Sequence, residues 1–149
     1  MTAKEKALKL LEKRDYSRTE LIRKLTEKGF EETEAAEAVE SLVSLGFVDD
    51  ARYAPIVVRH YSKKGYGAGR IKAELSRRGV PKELWEDALE EISDSGDTLD
   101  AIISQKLGGR DPDRKELKKL TDMLLRRGFS WGDIKTALGR YDENLEETD

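Results

Sequence analysis

Few residues in this chain have the side chains that catalysis needs. His60 is the single histidine and there is no cysteine. A Ser-His-Asp or Cys-His arrangement would have to run through His60, and no nucleophile suggests itself near it. Disulfides and thiolate metal sites are excluded by composition. Gly65-Tyr66-Gly67-Ala68-Gly69-Arg70 has the superficial look of a phosphate loop. It lacks the Gly-Lys-Ser/Thr ending, and no strand pattern precedes it, so a helix-to-helix turn is the better reading. Carboxylates are plentiful, but they lie in acidic runs without the aromatic shielding that raises a pKa. No enzyme activity, metal or cofactor is expected.

The chemistry that does stand out is charge. Residues 59–78 hold Arg59, Lys63, Lys64, Arg70, Lys72, Arg77 and Arg78 against Glu74 alone. Tyr61 and Tyr66 are interleaved with these bases, and Gly65, Gly67 and Gly69 permit close backbone approach. A polyanion or an acidic protein surface would suit such a ridge, and base stacking on tyrosine would add to it. The plainer reading is a solvated face that pairs with neighbouring helices. Residues 31–50 carry seven acids and no base, and residues 81–100 carry eight acids against Lys82. Basic and acidic blocks thus alternate along the chain. The net charge of −3 includes five acids among residues 141–149, which leave a body of 28 basic and 26 acidic residues. An acidic, frayed tail is expected over 142–149.

The elements that must position these groups repeat three times. Leu21–Phe30, Ile71–Val80 and Leu120–Phe129 align without gaps, each ending in a base, a glycine and an apolar residue. Leu21/Leu25, Ile71/Leu75 and Leu120/Leu124 are i,i+4 pairs, the inner stripe of a helix. Gly29, Gly79 and Gly128 can take the left-handed conformation that ends a helix, and the preceding base faces the negative end of the helix dipole. Nine residues on stand Ala38, Ala88 and Ala137, small enough for a close crossing by the next helix.

Start signals agree with this pattern. Ser17 and Glu20 form a capping box, and Asp111-Pro112 reads as an N-cap followed by proline at the first helical position. Pro81 can open a helix, and Ser130 reads as another N-cap. No segment alternates with period 2, so no strand is expected. The spacing predicts helices near 3–14, 17–28, 32–45, 50–63, 67–78, 81–92, 97–107, 112–127 and 131–141. Pro55 falls inside the fourth, which should kink there or begin later. Trp85 and Trp131 are expected in the core. The fold class is all-α: three tandem three-helix repeats, 1–48, 49–94 and 95–141, stacked into an elongated, curved array.

Leu45-Gly46-Phe47-Val48-Asp49-Asp50-Ala51-Arg52-Tyr53-Ala54 resembles the signature of the bacterial RecX regulatory proteins. So do Lys64-Gly65-Tyr66-Gly67, Arg70-Ile71-Lys72-Ala73-Glu74-Leu75 and Arg78-Gly79-Val80. In the first repeat, Tyr16-Ser17-Arg18-Thr19-Glu20-Leu21 and Lys28-Gly29-Phe30 are similar to the same family. The resemblance covers residues 5 to about 92, and it reaches the third repeat through the Arg127-Gly128-Phe129 turn. Pro55 departs from it.

The resemblance implies a regulator that lies in the groove of the RecA recombinase filament on single-stranded DNA. Such a protein inhibits strand exchange, ATP hydrolysis and co-protease activity. With that reading, Arg52, Arg59, Lys63, Lys64, Arg70, Lys72, Arg77 and Arg78 are the expected contact residues. Gly29, Gly65, Gly67, Gly79 and Gly128 are expected to shape turns, and Asp49 and Asp50 to cap the fourth helix. A direct DNA-binding module of helix-turn-helix type is the alternative. The longest apolar runs are too short to span a bilayer and the chain is charged from Lys4 onward, so a cytoplasmic monomer is expected.

Overall fold

The structure is a computed structural model and describes residues 1–90, 92 and 95–139. The acidic tail expected over 142–149 lies outside the described residues. All regular elements among those residues are helical: α1 (Ala3–Lys13), α2 (Arg18–Glu27), α3 (Glu32–Ser44), α4 (Asp50–Lys63), α5 (Ala68–Arg77), α6 (Trp85–Leu89), α7 (Ser95–Leu107), α8 (Arg114–Arg126) and α9 (Trp131–Leu138). A 3-10 turn, Lys82–Leu84, leads into α6. Pro81 stands ahead of that turn with extended ψ, and the Leu84 amide bonds back to its carbonyl at 3.0 Å. The sixth helix therefore starts as a tighter coil than a plain α-helix from residue 81.

The i,i+4 pairs Leu21/Leu25, Ile71/Leu75 and Leu120/Leu124 are all buried. Ala38, Ala88 and Ala137 are buried too. The α2, α5 and α8 ends share one hydrogen-bond pattern. The amides of Phe30, Val80 and Phe129 bond to the carbonyls of Leu25, Leu75 and Leu124 at 3.1, 3.0 and 3.2 Å. A second bond links each glycine amide to the carbonyl three residues back, completing a Schellman motif each time. At Gly79 and Gly128 φ is +76° and +95°, a region that costs any residue with a Cβ atom.

Other sequence expectations change as well. The α8 cap is Asp113 rather than Asp111, and Pro112 precedes the cap instead of following it. Asp113 Oδ1 accepts the Glu116 amide at 2.8 Å, and the acceptor position three residues before an acidic N3 residue decides the start. Helix α4 spans Asp50–Lys63 as the spacing predicts, so of the two readings of Pro55 the later start is the one excluded. The missing N–H leaves the Ala51 carbonyl without its helical donor. Ala51 is an exposed first-turn residue, so water can serve instead. Trp131, the first residue of α9, is 37% exposed rather than in the core. Trp85 is half-buried and donates its indole N–H to the Val80 carbonyl at 2.9 Å.

The chain separates into two compact units, Met1–Val57 with Glu74–Leu89, and Val58–Ala73 with the described residues from Glu90 onward. In the first unit, α1, α2 and α3 enclose a core of Ala7, Leu21, Leu25, Val39 and Leu42. The end of α5 locks onto the start of α2. Ser17 Oγ donates to the Arg78 carbonyl, Arg23 donates to the Arg77 carbonyl at 3.1 Å, and a Cβ on Gly79 would lie 2.5 Å from Thr19 Cβ.

In the second unit, α7, α8 and α9 enclose Leu99, Ile103, Leu124, Ile134 and Leu138. The end of α8 locks onto the start of α5. Gly67 N–H donates to the Arg127 carbonyl at 2.7 Å and Gly69 N–H to the Gly128 carbonyl at 3.0 Å. The gapless alignment places Ser17 with Gly67 and Arg78 with Arg127, so one junction is built twice from equivalent positions. A Cβ on Gly67 would lie 2.6 Å from the Gly128 carbonyl carbon, which explains glycine at a residue with ordinary φ.

Candidate functional site

Five of the eight cations singled out above fall in the second unit. Arg59 and Lys63 stand one helical turn apart on α4, and both are exposed. Lys64 follows at the helix end, its Nζ 5.6 Å from the centre of the Tyr61 ring. Across the turn, the Tyr61 and Tyr66 rings lie 5.9 Å apart. The Arg70 guanidinium sits 5.2 Å from the Tyr66 ring centre. Each ring thus holds one cation by its quadrupole, worth about 0.5–1 kcal/mol at exposed sites, and restrains it without neutralising it. Lys72, two residues beyond Arg70 on α5, is exposed as well. Lys63, Lys64, Arg70 and Lys72 form no ion pair among the described residues. His60 packs edge-on against Tyr61 at 5.0 Å.

Arg127 joins this group from α8. Its Nη1 lies 2.9 Å from the point where a Gly65 Cβ would stand, so the guanidinium overlies the turn. Sequence reasoning passed over Arg127 as a contact residue. The repeat alignment, which matches it to Arg78, was the available signal.

The other three cations lie in the first unit and are engaged there. Arg52 donates to the carbonyls of Gly46 and Phe47 at 3.1 and 3.3 Å, clasping the turn after α3. Arg77 pairs with Glu74 through its Nη2. Arg78 is half-buried and bonds Glu74 at 3.1 Å and the Tyr53 hydroxyl at 2.6 Å. Glu20 lies 3.8 Å from Arg78 and 3.3 Å from Arg14, and Arg14 also reaches the Tyr53 hydroxyl at 2.9 Å. This network links the start of α2, α4 and the end of α5 through charge-assisted bonds. Burial, with the Glu20 carboxylate adding to it, pushes the Tyr53 phenol above its ordinary pKa.

Asp49 Oδ1 accepts the amides of Ala51 and Arg52 at 3.0 and 3.3 Å, a cap for α4. Asp50 instead accepts the Arg18 amide at 2.9 Å, so it serves an orphan donor of α2. Among the described residues no group of His, Cys, Asp or Glu is arranged to hold a metal ion. No helix among them is long and apolar enough to cross a membrane.

These observations define an all-helical repeat protein with exposed cations gathered at one glycine-rich turn. The chain belongs to the RecX family of regulatory proteins. Residues 3–42, 49–89 and 97–138 match the family's first, second and third three-helix domains. It is 37% identical over 143 residues to "Regulatory protein RecX" of Stenotrophomonas maltophilia, covering 95% of this chain and 87% of that one. It is 34% identical over 146 residues to the Vibrio parahaemolyticus protein of the same name, covering 97% and 94%. The crystal structure of RecX from Lactobacillus salivarius superposes with a TM-score of 0.80 at 27% identity, over 95% of both chains.

Proposed function

We propose that this chain binds the RecA recombinase filament on single-stranded DNA and lowers its strand exchange, ATP hydrolysis and co-protease activity. Family membership supports the reading, and one observation in the structure carries it. Lys63, Lys64, Arg70 and Lys72 are exposed and without carboxylate partners among the described residues, and two of them, Lys64 and Arg70, lie over tyrosine rings. Cations left unpaired beside a tight turn attract an anionic surface at a rate and strength that salt reduces. The repeats 1–48, 49–94 and 95–141 then act together, as a monomer, on the filament, in the cytoplasm where the recombinase works. Arg59 and Arg127 belong with the contact set. Arg52, Arg77 and Arg78 contribute by holding the first unit together.

The same cluster favours a second reading, in which the chain binds DNA directly. Salt separates the two. A direct binder loses affinity for naked single strands with a log–log slope of about −0.7 for each phosphate neutralised. The regulator binds the filament more tightly than naked DNA at every salt concentration. Fluorescence anisotropy with labelled oligonucleotide, with and without recombinase, measures both. Equal affinities across the series would refute the filament reading.

A further inference from the structure

The basic turn makes no use of the acids on α3 or around α6, and the first unit gathers several of them about one groove. An open groove of about 440 Å³ runs between the end of α3 and the start of the 3-10 turn before α6. Its apolar lining is Val43, Val48, Pro81 and Leu84. Gly46 also lines it, at φ +84°, and on either side of Gly46 stand Leu45 and Phe47. These two are 59% and 52% exposed, among the largest apolar exposures in the described chain. Apolar groups clustered beside a groove mark a contact surface more often than singly scattered ones do.

The pair is also held rigid. Phe47 N–H bonds to the Leu42 carbonyl at 2.9 Å and Gly46 N–H to the Val43 carbonyl at 3.0 Å. The Arg52 fork then fastens the Gly46 and Phe47 carbonyls from α4. Two exposed apolar side chains on a turn with four hydrogen bonds lose little freedom when a partner covers them.

The surroundings are acidic. Asp49 and Asp50 line the groove, each with a single carboxylate oxygen engaged by backbone amides. Glu40 is exposed on α3 one turn before Val43, and Glu83, Glu86 and Asp87 are exposed on and beyond the 3-10 turn; together with Asp49 and Asp50 they outnumber the exposed bases Arg52 and Lys82 next to the lining. Arg18, the one base in the lining, is paired with Glu40. A nucleic-acid strand is repelled by this field, and so is the chain's own tail with its five acids.

We propose that this groove docks a basic, amphipathic segment of a protein partner, with apolar side chains on Val48, Leu84, Leu45 and Phe47 and lysines or arginines against the acidic walls. The assignment is independent of the recombinase reading, because it concerns the first unit and a ligand of opposite charge. An apolar helix face entering a groove, rimmed by complementary charge, is a recurrent mode of recognition.

The test uses the full chain and a fluorescein-labelled helical peptide of leucines at i, i+3, i+4 and i+7 with lysines between. A scrambled peptide of the same composition is the control. The expected result is saturable binding of the patterned peptide, weakened at least about tenfold by Leu45→Ser with Phe47→Ser and also by Glu83→Gln with Glu86→Gln. All four residues are exposed, so thermal melting should leave the variants folded. The proposal is overturned if the patterned peptide does not bind, if the scrambled peptide binds equally, or if the Leu45/Phe47 variant keeps its affinity. Sedimentation that reveals a dimer abolished by the same variant would overturn it too, since the occupant would then be a second copy.

Discussion

Replacing Gly128 by alanine tests the junction between the start of α5 and the end of α8. Two costs add. A Cβ at φ +95° costs about 1 kcal/mol. That Cβ would also stand 2.2 Å from the Arg70 amide nitrogen and 2.9 Å from Arg70 Cα, so backbone must withdraw by about 1 Å to reach van der Waals distance. Such a shift disrupts the Gly67–Arg127 and Gly69–Gly128 bonds, each worth about 1 kcal/mol. The sum is roughly 3 kcal/mol. Gly29→Ala meets nothing within 4 Å and carries only the conformational cost of about 1 kcal/mol. Urea unfolding followed by circular dichroism at 222 nm measures both. A loss at Gly128 no greater than that at Gly29 would refute the interlocked junction and leave only the shared turn geometry.

Further expectations concern the first unit and one exposed lysine of the second. At the equivalent junction Gly79→Ala meets a side chain, not backbone. Thr19→Gly should therefore recover part of its loss in a double-mutant cycle, and simple additivity would contradict the contact. The raised Tyr53 pKa makes the folded state hold its proton longer than the unfolded state. That stabilisation is fully present below pH 10.0 and is lost as pH rises through the folded value. Tyr53→Phe should flatten the stability profile above pH 10.0, and an unchanged alkaline slope would count against the buried network. Arg78→Ala leaves Glu74 and the Tyr53 hydroxyl short of a partner and should cost about 3 kcal/mol, whereas Lys72→Glu should change stability by less than about 0.5 kcal/mol.

Much of the fold was legible because helical periodicity is a local signal. Leu21, Leu25, Ile71, Leu75, Leu120 and Leu124 announce one stripe three times, and all are buried. The glycine after each stripe announces the turn. What one sequence could not show is which turn meets which helix start. Gly67 reads as a flexible loop residue and is in fact the point where another turn's backbone leaves no room for a Cβ. The charged residues show the same limit. Arg78 and Lys72 look alike in a basic run, yet Arg78 is enclosed by Glu20, Glu74 and Tyr53 while Lys72 is exposed. Asp50 reads as a cap for its own helix and satisfies a different one. Each of these depends on partners 25 to 61 residues away, beyond the reach of periodicity.

The most direct measurement is recombinase ATP hydrolysis on single-stranded DNA with this chain titrated in, beside a variant carrying Lys63→Glu, Lys64→Glu and Lys72→Glu. All three lysines are exposed and unpaired among the described residues, so the variant should melt as the parent does. The account predicts that the parent suppresses hydrolysis and that the variant needs a concentration at least about tenfold higher for the same effect. Equal suppression by a folded variant, or none by the parent, would contradict it.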